Sequence, residues 1–228
     1  MKFIIIGLGN FGSSLAQKLT KTGHEVIGVD SKMSKVESLK EYITHTICLN
    51  ATDAQAVHHL PVDDSDVVIV CIGEDEGANI MATALMKQLK VKRLISRAVS
   101  PLHETILEAM QVDEIVHPEE ETADRWAKKL NVNGIIDSFE LTEDHNIIEA
   151  TVPVHLIGKT LGEIDVRKNY HITVLTTIRT AVEKNLLGIS RKVTKVQEVA
   201  NVNTVLKEND IMVLYGQMRD IEHFLKDH

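Results

Sequence analysis

Short apolar runs rich in β-branched residues alternate with segments of helical period from the first residue to about position 130. Six of these runs read as strands: Lys2–Ile6, Val26–Asp30, Thr46–Leu49, Val67–Ile72, Arg93–Ser96 and Glu114–His117. Strands that alternate with helices in this way predict a parallel sheet covered by helices on its faces. The run Val67-Val68-Ile69-Val70-Cys71-Ile72 is apolar at every position, as a strand buried on both faces requires, so it belongs in the middle of the sheet. Between the strands, Phe11, Leu15 and Leu19 recur every four residues and Gly23 follows them, which predicts a first crossover helix stopped at a glycine. Ser34–Tyr42, Asp53–Leu60, Gly77–Leu89, Pro101–Met110 and Glu119–Leu130 supply the other helices, with Asp53 and Ser100-Pro101 as start signals.

The texture changes after Asn131-Val132-Asn133-Gly134. From Ile135 onward the runs Ile135–Leu141, Ile147–Val152, Ile172–Ile178 and Ile211–Tyr215 are strand-like, with polar turns such as Glu143-Asp144-His145-Asn146 between them. Ile221, Phe224 and Leu225 mark a closing helix over Met218 to Lys226. The expected organisation is therefore a doubly wound Rossmann-type α/β domain over residues 1–131 and a small α+β domain over 135–228.

Composition narrows the reading. The 228 residues carry a net charge of −8, which argues against a nucleic-acid partner bound by phosphate neutralisation. No apolar run approaches the roughly 18 residues of a membrane span. Met1 to Ile6 resembles the start of a signal peptide, but Gly7 to Gly12 interrupts it early, so it reads better as a first strand of a cytoplasmic protein. Cys48 and Cys71 lie in apolar runs without Cys-x-x-Cys spacing and are expected to be buried free thiols.

The strongest chemical signal is Gly7-Leu8-Gly9-Asn10-Phe11-Gly12, a G-x-G-x-x-G between a strand and a helix. Its first glycine permits a tight turn, its second lets a pyrophosphate approach the backbone, and its third lets helix and strand pack closely. The helix start then offers free N–H groups to phosphate. Asp30 ends the second strand, where a carboxylate accepts from the ribose hydroxyls of an adenosine and repels a 2′-phosphate, which disfavours NADP; its simpler role is to cap the turn at Ser31. Asn50-Ala51-Thr52-Asp53 ends the third strand on the same edge, and Thr52 or Asp53 also suits a helix N-cap. No zinc-type His or Cys spacing is present, and Tyr42, Tyr170 and Tyr215 lack the lysine four positions on that short-chain dehydrogenases use. An NAD-dependent oxidoreductase nonetheless stays open as the alternative to a non-catalytic nucleotide binder.

Ile4 to Gly12, Gly23-His24-Glu25-Val26 to Asp30, Asn50 to Asp53 and His117-Pro118-Glu119 resemble, in order and spacing, the RCK (TrkA/KtrA-type) regulatory subunits of bacterial potassium-uptake systems. Leu161-Gly162-Glu163-Ile164 and Asn203 to Gly216 are similar to the carboxyl module of that family. The resemblance implies a gating subunit without catalytic turnover, peripheral to the inner face of the membrane. It would form homodimers that build an octameric ring under a TrkH/KtrB-type potassium-translocating subunit. It implies an adenine nucleotide, ATP or ADP or else NAD or NADH, held by Gly7, Gly9, Asn10, Phe11, Gly12, Asp30, Ser31, Asn50, Ala51 and Thr52. Where the KtrA pattern has arginine this chain has Asn10, which leaves Arg97 as the alternative cation for a phosphate. The resemblance further implies Mg²⁺ or Ca²⁺ at Glu119, and cyclic di-AMP in the carboxyl module with Arg167 facing a phosphate.

Overall fold

The computed structural model describes residues 1–142, 144–184 and 190–226; Glu143 of the predicted turn lies outside them. The chain divides into two compact units, Met1–Glu120 and Glu121–His228.

In the first unit β1 (Lys2–Ile6), β2 (Glu25–Asp30), β3 (His45–Cys48), β4 (Val67–Val70), β5 (Leu94–Arg97) and β6 (Glu114–Val116) form one parallel sheet in the order β3-β2-β1-β4-β5-β6. The order runs outward in both directions from the β1/β4 pair, so the chain reverses its winding there and opens a crevice beyond the strand ends. Alternation along each strand builds two cores. Ile4, Ile6, Ile27, Val29, Val68 and Val70 point to one face, against Val57 of α3 (Ala54–Val57) and Ala82 and Met86 of α4 (Glu76–Gln88). Phe3, Ile5, Val26, Val67, Ile69 and Cys71 point to the other, against Ala16 of α1 (Asn10–Lys21) and Val36 and Leu39 of α2 (Met33–Leu39). The all-apolar β4 is buried along its whole length, as expected of a central strand.

Several boundaries move. The predicted helix at Asp53–Leu60 is a single turn, α3, with Asp53 as its N-cap accepting from Gln55 and Ala56 N–H. Gly23 follows α1 with φ of +89°, and the N–H groups of Gly23 and His24 return to the Thr20 and Leu19 carbonyls, a left-handed stop that favours glycine. Cys48 is exposed, contrary to expectation, because β3 is the sheet edge and has no neighbouring strand beyond it. Cys71 is buried, and burial pushes its thiol up to about 12.

A polar cluster lies inside this unit. Asn79 of α4 is fully buried and its Nδ2 donates to the carbonyls of Ile72 and Arg97 at 2.8 and 3.2 Å, joining the end of β5 to the backbone just past β4. Its Oδ1 accepts from Ser96 Oγ at 3.0 Å and meets Thr83 Oγ1 at 3.3 Å and His103 Nε2 at 3.1 Å. Since the amide nitrogen faces two carbonyls, Oδ1 must accept, and His103, in α5 (Pro101–Ala109), carries its proton on Nε2. His103 Nδ1 is then a buried acceptor without a hydrogen-bond partner. A second proton would be enclosed there without an acceptor, and burial holds the imidazole below its ordinary range.

α6 (Pro118–Asn131) begins in the first unit and continues in the second. There β7 (Ile135–Glu140), β8 (His145–Thr151), β9 (Thr173–Lys184), β10 (Ser190–Val196) and β11 (Ile211–Gln217) form an antiparallel sheet in the order β10-β9-β11-β8-β7. Short helices α7 (Leu161–Ile164) and α8 (Val166–Tyr170) and the closing α9 (Met218–Lys226) complete it. Ile221 and Phe224 of α9 are buried with Ile148, Leu206, Met212 and Leu214 in a single core. Arg179 Nε and Nη2 hold the buried Asp210 carboxylate at 2.8 and 2.7 Å, tying β9 to the turn before β11. β10 was not expected from the sequence, and β9 runs longer than predicted.

Replacing Asn79 by Ala removes the acceptor for His103 and the donor to two carbonyls, and should destabilise the first unit by about 3 kcal/mol in urea unfolding. The depressed His103 pKa adds a pH dependence. A histidine that must stay neutral contributes its full stability above the unfolded value of about 6.5 and loses it as pH falls below that value. His103→Gln should flatten the decline in stability on acidification below about pH 6.5. An unchanged pH profile would remove His103 as its source.

Candidate functional site

The cleft of about 1070 Å³ opens beyond the carboxyl ends of β1, β2 and β4. Its lining brings together Gly7, Gly9, Asn10, Phe11, Asp30, Ser31, Asn50, Ala51, Thr52, Arg97 and Glu119, residues that the sequence pattern singled out across more than a hundred positions. Gly12 is absent from the lining for a physical reason. It is buried in the first turn of α1, where a Cβ would fall 2.0 Å from the Gly7 carbonyl oxygen and 3.1 Å from Cys71 Cβ. Gly12 therefore lets the helix start lie on the strand end, as the third glycine of such a turn must. Gly7 has φ of +95°, and a Cβ there would stand 2.9 Å from the Ile72 amide nitrogen. Both positions bring β1, α1 and the segment after β4 into a contact that only hydrogen side chains allow.

Asp30 is 8% exposed and does two local tasks. Oδ2 accepts the Leu8 N–H at 2.8 Å, fixing the middle of the glycine turn to the end of β2, and Oδ1 accepts the Lys32 N–H at 2.9 Å. The turn-capping role read from the sequence is thus present, joined by a bond to Leu8 that the sequence did not reveal. Each oxygen keeps lone-pair capacity toward the cleft, since a carboxylate offers about four acceptor sites. Asn50 Oδ1 accepts from Thr52 N–H at 3.1 Å and Thr52 Oγ1 at 2.9 Å, so Asn50 also shapes its own turn.

The charges around the cleft are paired. Lys32 and Lys35 reach Glu74 at 3.1 and 3.2 Å, and these two ammonium groups lower the Glu74 pKa. Lys35 Nζ also stands 3.8 Å from Asp30 Oδ2. On the opposite side Arg97 forms an ion pair with Glu119. Lys32, Lys35, Glu74 and the Arg97–Glu119 pairing were not read from the sequence, because residues 42 and 22 positions apart meet only once the sheet has formed.

A cation at Glu119 would have to be shared with ligand phosphates. The carboxylate faces a guanidinium, and among the described residues no three His, Cys, Asp or Glu side chains gather at a point that could hold a metal. Arg167 is exposed on α8, following Asp165 in a left-handed conformation, in the second unit. No helix of the described residues is long and apolar enough to cross a membrane.

Residues 3–118 match the TrkA-N domain family. Over 226 residues, 99% of this chain and 96% of its relative, the sequence is 33% identical to Ktr system potassium uptake protein C of Bacillus subtilis. Among solved structures, the GsuK RCK domain superposes with a TM-score of 0.66 at 18% identity, covering 99% of this chain and 48% of that one. The GsuK channel bound to NAD superposes with a TM-score of 0.65, and this chain covers 39% of its length. The chain thus spans less than half of each of these two solved chains.

Gly12→Ala should prevent α1 from seating on β1. The expected outcome is loss of the cooperative unfolding transition of the first unit in thermal scans, because the 2.0 Å approach is to backbone and has no flexible atom to yield.

Proposed function

This chain belongs to the TrkA-N domain family, and on that premise we propose that it is a nucleotide-binding regulatory subunit that gates potassium uptake through a membrane ion-translocating partner. Residues 1–131 act as the nucleotide module and residues 135–228 as the ligand or dimerisation module. The partner is of the TrkH/KtrB type, and homodimers assemble into an octameric ring at the cytoplasmic face of the membrane. The single observation that carries the nucleotide reading is the turn Gly7 to Gly12, held open toward the cleft at the β1/β4 crossover and pinned to Asp30.

In this reading the ligand pyrophosphate lies over Gly7, Gly9, Asn10 and Phe11 at the start of α1, where unpaired N–H groups and the helix dipole favour negative charge. Asp30 and Ser31 accept the ribose, and Asn50, Ala51 and Thr52 flank the adenosine. The ligand class is an adenine nucleotide, ADP or ATP or a nicotinamide dinucleotide. A fold relative bound to NAD is consistent with that class. The subunit works by differential affinity of each nucleotide for two assembly states, since a ligand shifts an equilibrium only by that difference. It has no turnover of its own. A second ligand, cyclic di-AMP at Arg167, completes the reading of the carboxyl module.

A thermal-shift panel of the full chain against ATP, ADP, AMP, NAD, NADH and cyclic di-AMP tests this reading. A ligand at 100 times its dissociation constant should add about 2.7 kcal/mol of stability. Asp30→Asn should weaken adenine nucleotides by about 1–3 kcal/mol in calorimetry, through loss of charge-assisted bonds to the ribose hydroxyls. A panel without stabilisation would reject the nucleotide site. Substrate-dependent change in nicotinamide absorbance would instead favour an oxidoreductase.

A further inference from the structure

The buried cluster around Asn79 stands behind the cleft, yet it holds two of the backbone groups that shape the cleft wall. Ile72, Gly73 and Arg97 line the cleft, and Asn79 Nδ2 donates to the Ile72 and Arg97 carbonyls. Ile72 carries that hold forward, because its amide nitrogen is the atom that crowds Gly7 at the start of the glycine turn. The Arg97 guanidinium lies against Gly73, where a Cβ would fall 2.4 Å from Nη1. One amide thus fixes the wall from the glycine turn to Arg97. Its own orientation depends on Oδ1, which accepts from three donors. Two are the hydroxyls of Thr83 and Ser96, which also stand 3.0 Å from each other and so can satisfy one another. The third is His103 Nε2, which comes from a separate helix and has a fixed direction. His103 is fully buried, and among the described residues its Nδ1 has no hydrogen-bond partner.

We propose that occupancy of the cleft and the charge on His103 are linked through Asn79, so that a bound nucleotide favours the neutral imidazole and a proton on His103 slackens the wall. This inference rests on the nucleotide reading of the cleft and deepens it by making Asn79 a positioning residue that His103 couples to protons. An added proton sits on Nδ1, enclosed without an acceptor, and such a buried cation is relieved only by moving the ring toward water. Nε2 then leaves Asn79 Oδ1, and the amide is left to two hydroxyls that can pair with each other. The carbonyls of Ile72 and Arg97 lose their fixed donor, and the Gly7 turn loses the firm backbone it closes against. A nucleotide that needs that turn binds the braced state more tightly, and by reciprocity it lowers the proton affinity of His103. The surroundings set the sign. Burial disfavours the imidazolium, and the Glu76 carboxylate at the start of α4 opposes that more weakly. The other members of the cluster, Asn79 and Thr83 of α4 and Ser96 of β5, are neutral, and Arg97 turns its guanidinium to Gly73 and Glu119. Glu104, next to His103 on α5, is engaged with His117 at 3.2 Å, and Glu114 of β6 with Arg93.

The experiment compares the full chain with His103→Gln by calorimetric titration of ADP from about pH 7.5 to about pH 5.5, in two buffers of different ionisation enthalpy. Glutamine keeps a donor for Asn79 Oδ1 and removes the titration. The terminal phosphate of ADP titrates near about pH 6 and His117 is present in both chains, so these contributions cancel between them. The wild-type chain should lose about fivefold more affinity over that range than His103→Gln, the lower end of ordinary coupling between sites, and should release protons on binding that His103→Gln does not. Deuterium exchange at the histidine C2 position of the wild-type chain, read by peptide mass spectrometry, locates the His103 midpoint without any substitution. ADP should lower that midpoint and leave those of the exposed His58 and His59 in place. Equal pH profiles in the two chains, or a His103 midpoint that ADP does not move, would overturn the linkage while leaving the nucleotide site intact. If the wild-type chain binds no ADP at either end of the range, the nucleotide reading itself falls.

Discussion

The hydrogen bond from Leu8 N–H to the buried Asp30 carboxylate, at 2.8 Å, is the contact on which the geometry of the cleft depends. A glycine-rich turn has many accessible conformations, and fixing it costs more backbone entropy than fixing any other kind of turn. Asp30 meets that cost at the centre of the turn, from a strand that is itself held in register with β1 from Lys2↔Glu25 to Ile6↔Val29. The Gly7 N–H donates to the Val29 carbonyl at 2.8 Å immediately beside it. Two adjacent bonds to β2 thus turn a flexible hexapeptide into a fixed edge, with Gly7 and Gly12 closing it against Ile72 and Cys71.

Much of the first unit was legible because its signals are local and agree with one another. β-Branched runs give the strands, and the uniformly apolar Val67 to Val70 could only be central. The spacing of Gly7, Gly9 and Gly12 marks the turn, and Asp53 and Ser100 mark helix starts that the structure retains. What stayed hidden depends on tertiary neighbours. Cys48 lies in an apolar run yet is exposed, because whether a strand is an edge is set by sheet order and not by its own residues. Asn79, Thr83, Ser96 and His103 carry no shared signal along the chain; only β5 assembled with α4 and α5 shows that they satisfy one another. Lys32 and Glu74 were ordinary surface charges until the sheet brought them within 3.1 Å.

The second unit was read more coarsely. Its core positions in β8 and β11 alternate cleanly, and α9 shows its buried Ile221 and Phe224 at helical spacing. β10 escaped because Ser190-Arg191-Lys192-Val193-Thr194-Lys195-Val196 carries three basic residues in seven, so its pattern reads as a solvated loop. Its pairing partner supplies the order that its own sequence lacks, through the register Ser190↔Lys184 to Val196↔Ile178. Likewise α7 is one short turn, held by a capping box in which Thr160 and Glu163 satisfy each other's backbone N–H groups.

The Asn79 cluster gives the cleft unequal mechanical compliance. The wall formed by the backbone of Ile72 and Arg97 is cross-braced by one buried amide whose own partners are buried, and such a brace yields only by breaking several bonds together. The opposite lip is closed by solvated lysine and glutamate side chains, which rearrange on the timescale of rotamer exchange. The cleft is built like a vice with one jaw welded and the other sprung. An occupant is aligned by the stiff side and accommodated by the soft one, and work done by its arrival appears as displacement only where the jaw can give.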